Sequence, residues 1–114
     1  MDYAKYLPHI DVNDGKARVM NNMGLYTTLL KKFKGRQMAD ELLAAIKTSD
    51  TETVTQVAHA LRGTAGNLSL PKLQTVSSEI EALSKGGNDC SHLAEQLDSA
   101  IDDLMGCISD FTST

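Results

Sequence analysis

Residues 51–70 read TETVTQVAHALRGTAGNLSL, and their periodicity decides the fold. Wound as a helix at about 100° per residue, they put Val54, Val57, Ala58, Leu61, Ala65 and Leu68 on one apolar stripe. With His59 set at zero, Glu52, Gly63 and Gly66 fall within roughly 40° of it and Arg62 within about 60°. The stripe lies opposite. The one histidine of this segment therefore faces away from the predicted core, and its neighbours one and two turns on are glycines.

A glycine inside a helix costs roughly 0.5–1 kcal/mol relative to alanine. Two of them on the face of an exposed histidine give up local stability for open space, which lets another molecule approach the imidazole. Arg62, three residues on, reaches the same place with a fixed charge and a forked set of donors. A surface histidine on a helix usually does nothing; the glycines and the arginine distinguish this one. A nucleophilic imidazole, a cation and a clear approach suit a phosphoryl group that arrives from outside and leaves again.

The string His59-Ala60-Leu61-Arg62-Gly63-Thr64-Ala65-Gly66-Asn67-Leu68 resembles the signature of histidine-containing phosphotransfer (HPt) domains: His-x-Leu-Lys-Gly, small residues, then a Gly and an apolar residue. The flanking segments 50–58 and 73–83 fit as well, as does GLYTTLLKKF at 24–33, so the resemblance covers roughly residues 10–110. The sequence departs from the pattern twice. Arg62 replaces the usual Lys, keeping the charge and changing the geometry. Ser69 stands where many members carry Gly, at the end of the surface a partner approaches.

The resemblance implies a two-component relay protein. His59 would accept a phosphoryl group from an aspartyl phosphate on a receiver domain and pass it to an aspartate on another receiver. A free imidazole is mostly neutral at pH 7, as a nucleophile must be. Arg62 would pair with the phosphoryl group once bound, which adds a charge of about −1.5 to −2. Gly63, Gly66 and Ser69 would form the face a partner approaches. The chain would be no enzyme in its own right: the receiver, or a hybrid sensor kinase carrying one, would bring Mg²⁺ and the in-line geometry. Two other readings stay open. One is the phosphoacceptor domain of a larger histidine kinase, fed from ATP. The other is a helical adaptor that docks receivers without being phosphorylated.

Composition is consistent with this. The 114 residues suffice for one domain, 1–114, with its own core. Hydrophobic residues make up 41%, and no apolar run approaches the ~20 residues of a membrane span. The N-terminus has no basic region followed by a long apolar stretch, so no signal peptide is expected. A net charge of −4 argues against nucleic acid, which calls for a basic stripe. Cys90 and Cys107 read as free thiols in a reducing, cytoplasmic compartment, with Cys107 packing as a small hydrophobe. His9, His59 and His92 show no metal-ligand spacing, and no G-x-x-x-x-G-K loop marks a nucleotide site, so no cofactor is expected on this chain. The length and the initial Met suggest a stand-alone protein, with monomer as the default.

The remaining segments complete an all-α pattern. Residues 1–10, interrupted by Pro8, are expected to be ordered only in part, with Tyr3, Tyr6 and Leu7 able to fold back over one end of a bundle. A short helix spans 11–20. A long one spans 25–47, carried by Leu25, Leu29, Leu30, Phe33, Met38, Leu42 and Ile46 across Gly35, with Lys31, Lys32, Lys34 and Arg36 as a solvated face or a docking surface for an acidic partner. Ser49 and Glu52 form an S-x-x-E capping box for the His59 helix. Pro71 opens a helix over 71–85, ended by Gly86-Gly87, and the last helix spans 91–109, with 112–114 fraying. The five methionines read as core filler. The short connections imply an up-down-up-down four-helix bundle with a short extra N-terminal helix. His59 sits about 15 Å before the turn into 71–85, which brings Glu81 and Lys85 level with it.

Overall fold

The computed structural model describes residues 2–113. Every regular element among them is helical: a 3-10 turn at Ala4–Tyr6, then α1 (Val12–Arg18), α2 (Met23–Lys32), α3 (Gly35–Lys47), α4 (Thr51–Leu68), α5 (Pro71–Lys85) and α6 (Ser91–Thr112). α3 packs on α4, α4 on α5 and α5 on α6, and α6 closes the ring against α3. Leu42, Leu61, Ile80, Leu97 and Ile101 are fully buried between these four helices.

The stripe expected of α4 is the one it buries. Val54, Ala58, Leu61, Ala65 and Leu68 are inside, and Val57 is half-buried. The start of the helix differs from expectation by one residue. Asp50, not Ser49, is the N-cap: its carboxylate accepts from the Thr53 amide at 3.3 Å and the Thr53 hydroxyl at 2.7 Å. Ser49 has φ 56° and belongs to the preceding turn. Its hydroxyl is out of the capping position, so the Ser49–Glu52 box does not form.

Residues 25–47 are two helices rather than one. Phe33 is extended (φ −67°, ψ 120°) and breaks the chain between α2 and α3. Its ring turns inward and lies over Gly35, where a Cβ would come within 2.4 Å of the ring and 2.9 Å of the Ile101 Cδ1. Burying that aromatic offsets the loss of a few helical hydrogen bonds. Arg36 does not join a solvated basic face. It donates to Asp40 on α3 at 2.7 Å and, across the bundle, to Asp98 at 2.8 Å and Asp102 at 2.7 Å on α6. Lys31, Lys32 and Lys34 are exposed.

The α4–α5 connection is tight. Ser69 adopts the left-handed conformation (φ 59°), and the Leu70 amide donates back to the Ala65 carbonyl at 2.9 Å. Leu70 is buried and Pro71 opens α5 at the position where its missing N–H costs nothing.

The N-terminal segment packs onto this turn. Tyr6 and Ile10 are buried. The Lys72 amide donates to the Pro8 carbonyl at 3.0 Å and the Asp11 amide to the Ser69 carbonyl at 2.9 Å. Tyr3 and Tyr6 meet Phe111 edge-on at 5.9 and 5.4 Å. The Tyr6 hydroxyl donates to Asp110 at 2.8 Å; that bond, chiefly, pushes its pKa up to about 12. Leu7 stays half-exposed. Phe111 extends α6 to Thr112, three residues beyond its expected end; Met1 and Thr114 lie outside the described residues. The methionines are not uniformly core filler: Met23, Met38 and Met105 are half-buried, but Met20 is 91% exposed on the left-handed turn after α1.

Candidate functional site

The site forms along the outer seam of α4 and α5. Because α5 runs back beside α4, residues equally far from the turn stand level. Thr55 and Ser84 pair their hydroxyls at 2.6 Å. One turn along, His59 meets Glu81, with its Nδ1 2.7 Å from Oε2.

Glu81 holds this cluster together. Its side chain is only 6% exposed, while those of His59 and Lys85 are 65% and 63% exposed. Arg62 Nε lies 2.7 Å from Oε1, and Lys85 Nζ lies 3.2 Å from Oε2. Burial by itself raises the pKa of this carboxyl and is the largest single influence on it. Hydrogen bonds from His59 and Lys85, with the charges of Arg62 and Lys85, together outweigh burial and hold the pKa below its ordinary value. Glu81 is therefore an anion at neutral pH, ringed by three nitrogen groups.

That anion fixes the imidazole. A carboxylate only accepts, so in the neutral ring the proton sits on Nδ1 and points to Glu81. Nε2 then carries the lone pair and projects from the exposed side of the ring. Arg62 Nη2 stands 3.1 Å from Nδ1, drawn to the same carboxylate.

The expected glycines separate into two kinds. A Cβ on Gly63 would meet nothing within 4 Å, so the backbone beside His59 is bare. A Cβ on Gly66 would come within 3.1 Å of Gln74 Nε2, because the Gln74 side chain lies across that turn of α4. Gly66 is covered, not open. Ser69 does not belong to the approach face at all. It is 6% exposed, and its hydroxyl donates to Asp14 Oδ2 at 2.6 Å. The left-handed backbone turns that side chain inward against α1.

Both Glu81 and Lys85 thus join His59 and Arg62, while Ser69 leaves the group. Gln74 escaped the sequence reading. Glu81 carried a signal that could have been used: it continues the inward stripe of Leu73, Val76, Ser77, Ile80 and Ser84, and a charge on a buried stripe demands partners. Further along α4, Leu29, Phe33, Met38 and Leu68 line a groove together with Lys32 and Lys34. No group of three His, Cys, Asp or Glu among the described residues is placed to hold a metal. No helix there is long and apolar enough to cross a membrane.

The seam that carries this cluster falls within the part of the chain that a known family matches. The Hpt domain family model matches residues 34–106, more than half of the chain and all of the α4–α5 seam. The protein belongs to the Hpt domain family. Membership ties it to two-component phosphorelays, in which Hpt domains are phosphotransfer modules that interact with receiver domains and are not enzymes of the ordinary kind. No curated protein sequence and no solved structure matches the chain.

Proposed function

We propose that this protein is a phosphorelay intermediate that takes a phosphoryl group from a receiver aspartyl phosphate onto His59 Nε2 and hands it to a second receiver aspartate. The observation that carries the reading is the Nδ1–Glu81 contact, which in the neutral ring puts the N–H on Nδ1 and the lone pair on Nε2, on an imidazole 65% exposed beside the bare backbone of Gly63.

The Nε2 lone pair attacks phosphorus, forming N–P as the P–O bond to the aspartyl carboxylate breaks, and the electrons of that bond leave with the carboxylate. The ring keeps its Nδ1 proton and becomes cationic. Glu81, already anionic, offsets that charge without moving. Arg62 is close enough to turn from Glu81 to the phosphoryl oxygens, and Lys85 shares the same carboxylate. The reverse sequence delivers the group to the next receiver. The receiver brings Mg²⁺ and holds the group in line.

Several finer features belong to the same proposal. α3 to α6 form an up-down-up-down bundle that holds the nucleophile on rigid helices. Residues 1–114 act as one monomeric domain in a reducing cytoplasm, where Cys90 and Cys107 stay as thiols. The receiver seats over Gly63 and the groove that Lys32 and Lys34 help line, so its matching surface combines apolar side chains with carboxylates.

The test is incubation with phosphorylated receivers. The wild type gains acid-labile, base-stable label and His59→Gln gains none. Label persisting in His59→Gln removes the site assignment. Binding of a phosphorylated receiver with no movement of label favours a docking adaptor, and label taken only from an ATP-loaded kinase domain favours a kinase phosphoacceptor.

A further inference from the structure

The two glycines on the His59 face have different neighbours. Beside Gly63 there is only solvent. Over Gly66 lies the amide of Gln74, with Nε2 3.1 Å and Cδ 3.6 Å from where a Cβ would stand. Alanine at position 66 would push that amide away, so Gly66 seats Gln74 flat against α4. The tight turn makes this possible, since Gln74 belongs to the first turn of α5 and folds directly back over the last turns of α4.

The seated amide is unused. Gln74 is exposed, and its side chain makes no hydrogen bond within the chain among the described residues. It offers two N–H donors and one carbonyl acceptor to water. Gly66 follows His59 by seven residues, about 10 Å along the helix. A standard protein interface of ~800 Å² per partner reaches roughly 16 Å from its centre. A receiver seated over His59 therefore covers the Gln74 amide and strips its water.

From this we infer that Gln74 is a specificity-determining residue for the receiver partner, on the phosphotransfer reading given above. A receiver that sets a backbone group or polar side chain opposite the amide replaces the lost water. A receiver that sets an apolar side chain there leaves buried donors unmet, which lowers affinity by about 5- to 150-fold. Gln74 discriminates by excluding partners, at a distance from the reacting atoms. It touches neither imidazole nor phosphoryl group, so it acts on docking and leaves the chemical step alone.

The test uses the full chain and a panel of phosphorylated receivers, with kcat and KM for transfer to His59 measured for each. Gln74→Leu is expected to raise KM about tenfold or more for the receivers the wild type prefers and to lower it for those it disfavours. kcat stays within about twofold and the melting temperature is unchanged. Gly66→Ala, by displacing the amide, reproduces part of this effect in the wild type and loses it in a Gln74→Ala background. An unaltered ranking of receivers in Gln74→Leu overturns the inference, as does a Gly66→Ala effect of the same size with and without Gln74. If the wild type transfers and the variants rank receivers identically, only the role of Gln74 fails. If no receiver labels the wild type, the phosphotransfer reading fails and the specificity role falls with it.

Discussion

Replacing Glu81 with glutamine removes one charge from the site and, with the amide oxygen kept toward His59, also the acceptor that Arg62 Nε faces at 2.7 Å. The amide oxygen still reaches His59 Nδ1 and still fixes the tautomer, and the side chain stays the same size at a position only 6% exposed. What His59 loses is the charge assistance. A hydrogen bond to a charged group contributes about 1.5–3 kcal/mol and a neutral one about 0.5–1.5 kcal/mol. The imidazole is 65% exposed, so solvent screening favours the low end of the difference, about 1 kcal/mol. The ring becomes cationic as N–P forms, so this loss falls on the transition state and on phosphohistidine together. Glu81→Gln should therefore take up label roughly fivefold more slowly and hold less of it at equilibrium with the receiver. Glu81→Ala removes the bond and frees the tautomer, for a loss of about 10- to 100-fold. Stopped-flow transfer from a phosphorylated receiver measures both. Acid titration of stability supplies a separate check. The pKa of Glu81 is depressed on folding, so its contribution is complete above the ordinary value near 4.5 and is lost as pH falls through the folded value. The acid limb of the stability curve should be shallower in Glu81→Gln than in the wild type. Wild-type transfer rates in Glu81→Ala would refute the view that the carboxylate orients and supports the nucleophile.

Three further outcomes follow from the geometry. Gly63→Leu should leave the fold intact or stabilise it by roughly 0.5–1 kcal/mol, through helix propensity, while slowing transfer on the order of 10- to 100-fold; denaturant titration and transfer kinetics together test it. Gly15→Ala should destabilise instead, because its Cβ would lie 2.2 Å from the Tyr26 ring: a loss of about 1–3 kcal/mol in urea. Arg36→Ala should cost roughly 1 kcal/mol at low salt and less at high salt, since its three ion pairs run to exposed aspartates.

What the sequence disclosed follows the range of each interaction. The buried stripe of α4 and the outward aim of His59 depend only on helical phase, and both could be read from twenty residues. The break at Phe33 could not. Leu30, Phe33, Met38 and Leu42 keep helical spacing across it, and the reason to break is the fit of one ring over Gly35 and against Ile101, on a helix at the other end of the chain. Ser69 departs for a different reason. Its place on the approach face comes from the resemblance to the family pattern, which says nothing of backbone conformation; at φ 59° its hydroxyl turns inward and finds Asp14, 55 residues earlier. Arg36 shows the same limit as Phe33, since a count of lysines and arginines on one face cannot see the aspartates that α6 brings to meet it.

Glu81 stands between these cases, and it explains why the site lies where it does. Its level relative to His59 follows from counting residues on both sides of a turn, which is local information. Its direction depends on how that turn is made. The left-handed Ser69, the Leu70–Ala65 hydrogen bond and the buried Leu70 fix the rotation of α5 against α4, and a rotation differing by one residue, about 100°, would aim Glu81 elsewhere. The N-terminal segment bonds to the same turn through Asp11, Asp14 and Pro8. α1 and the residues before it lie far from His59 in sequence and contribute no atom to the cluster. They hold the turn that sets its geometry, and so belong to the support of the site although the family match begins only at residue 34.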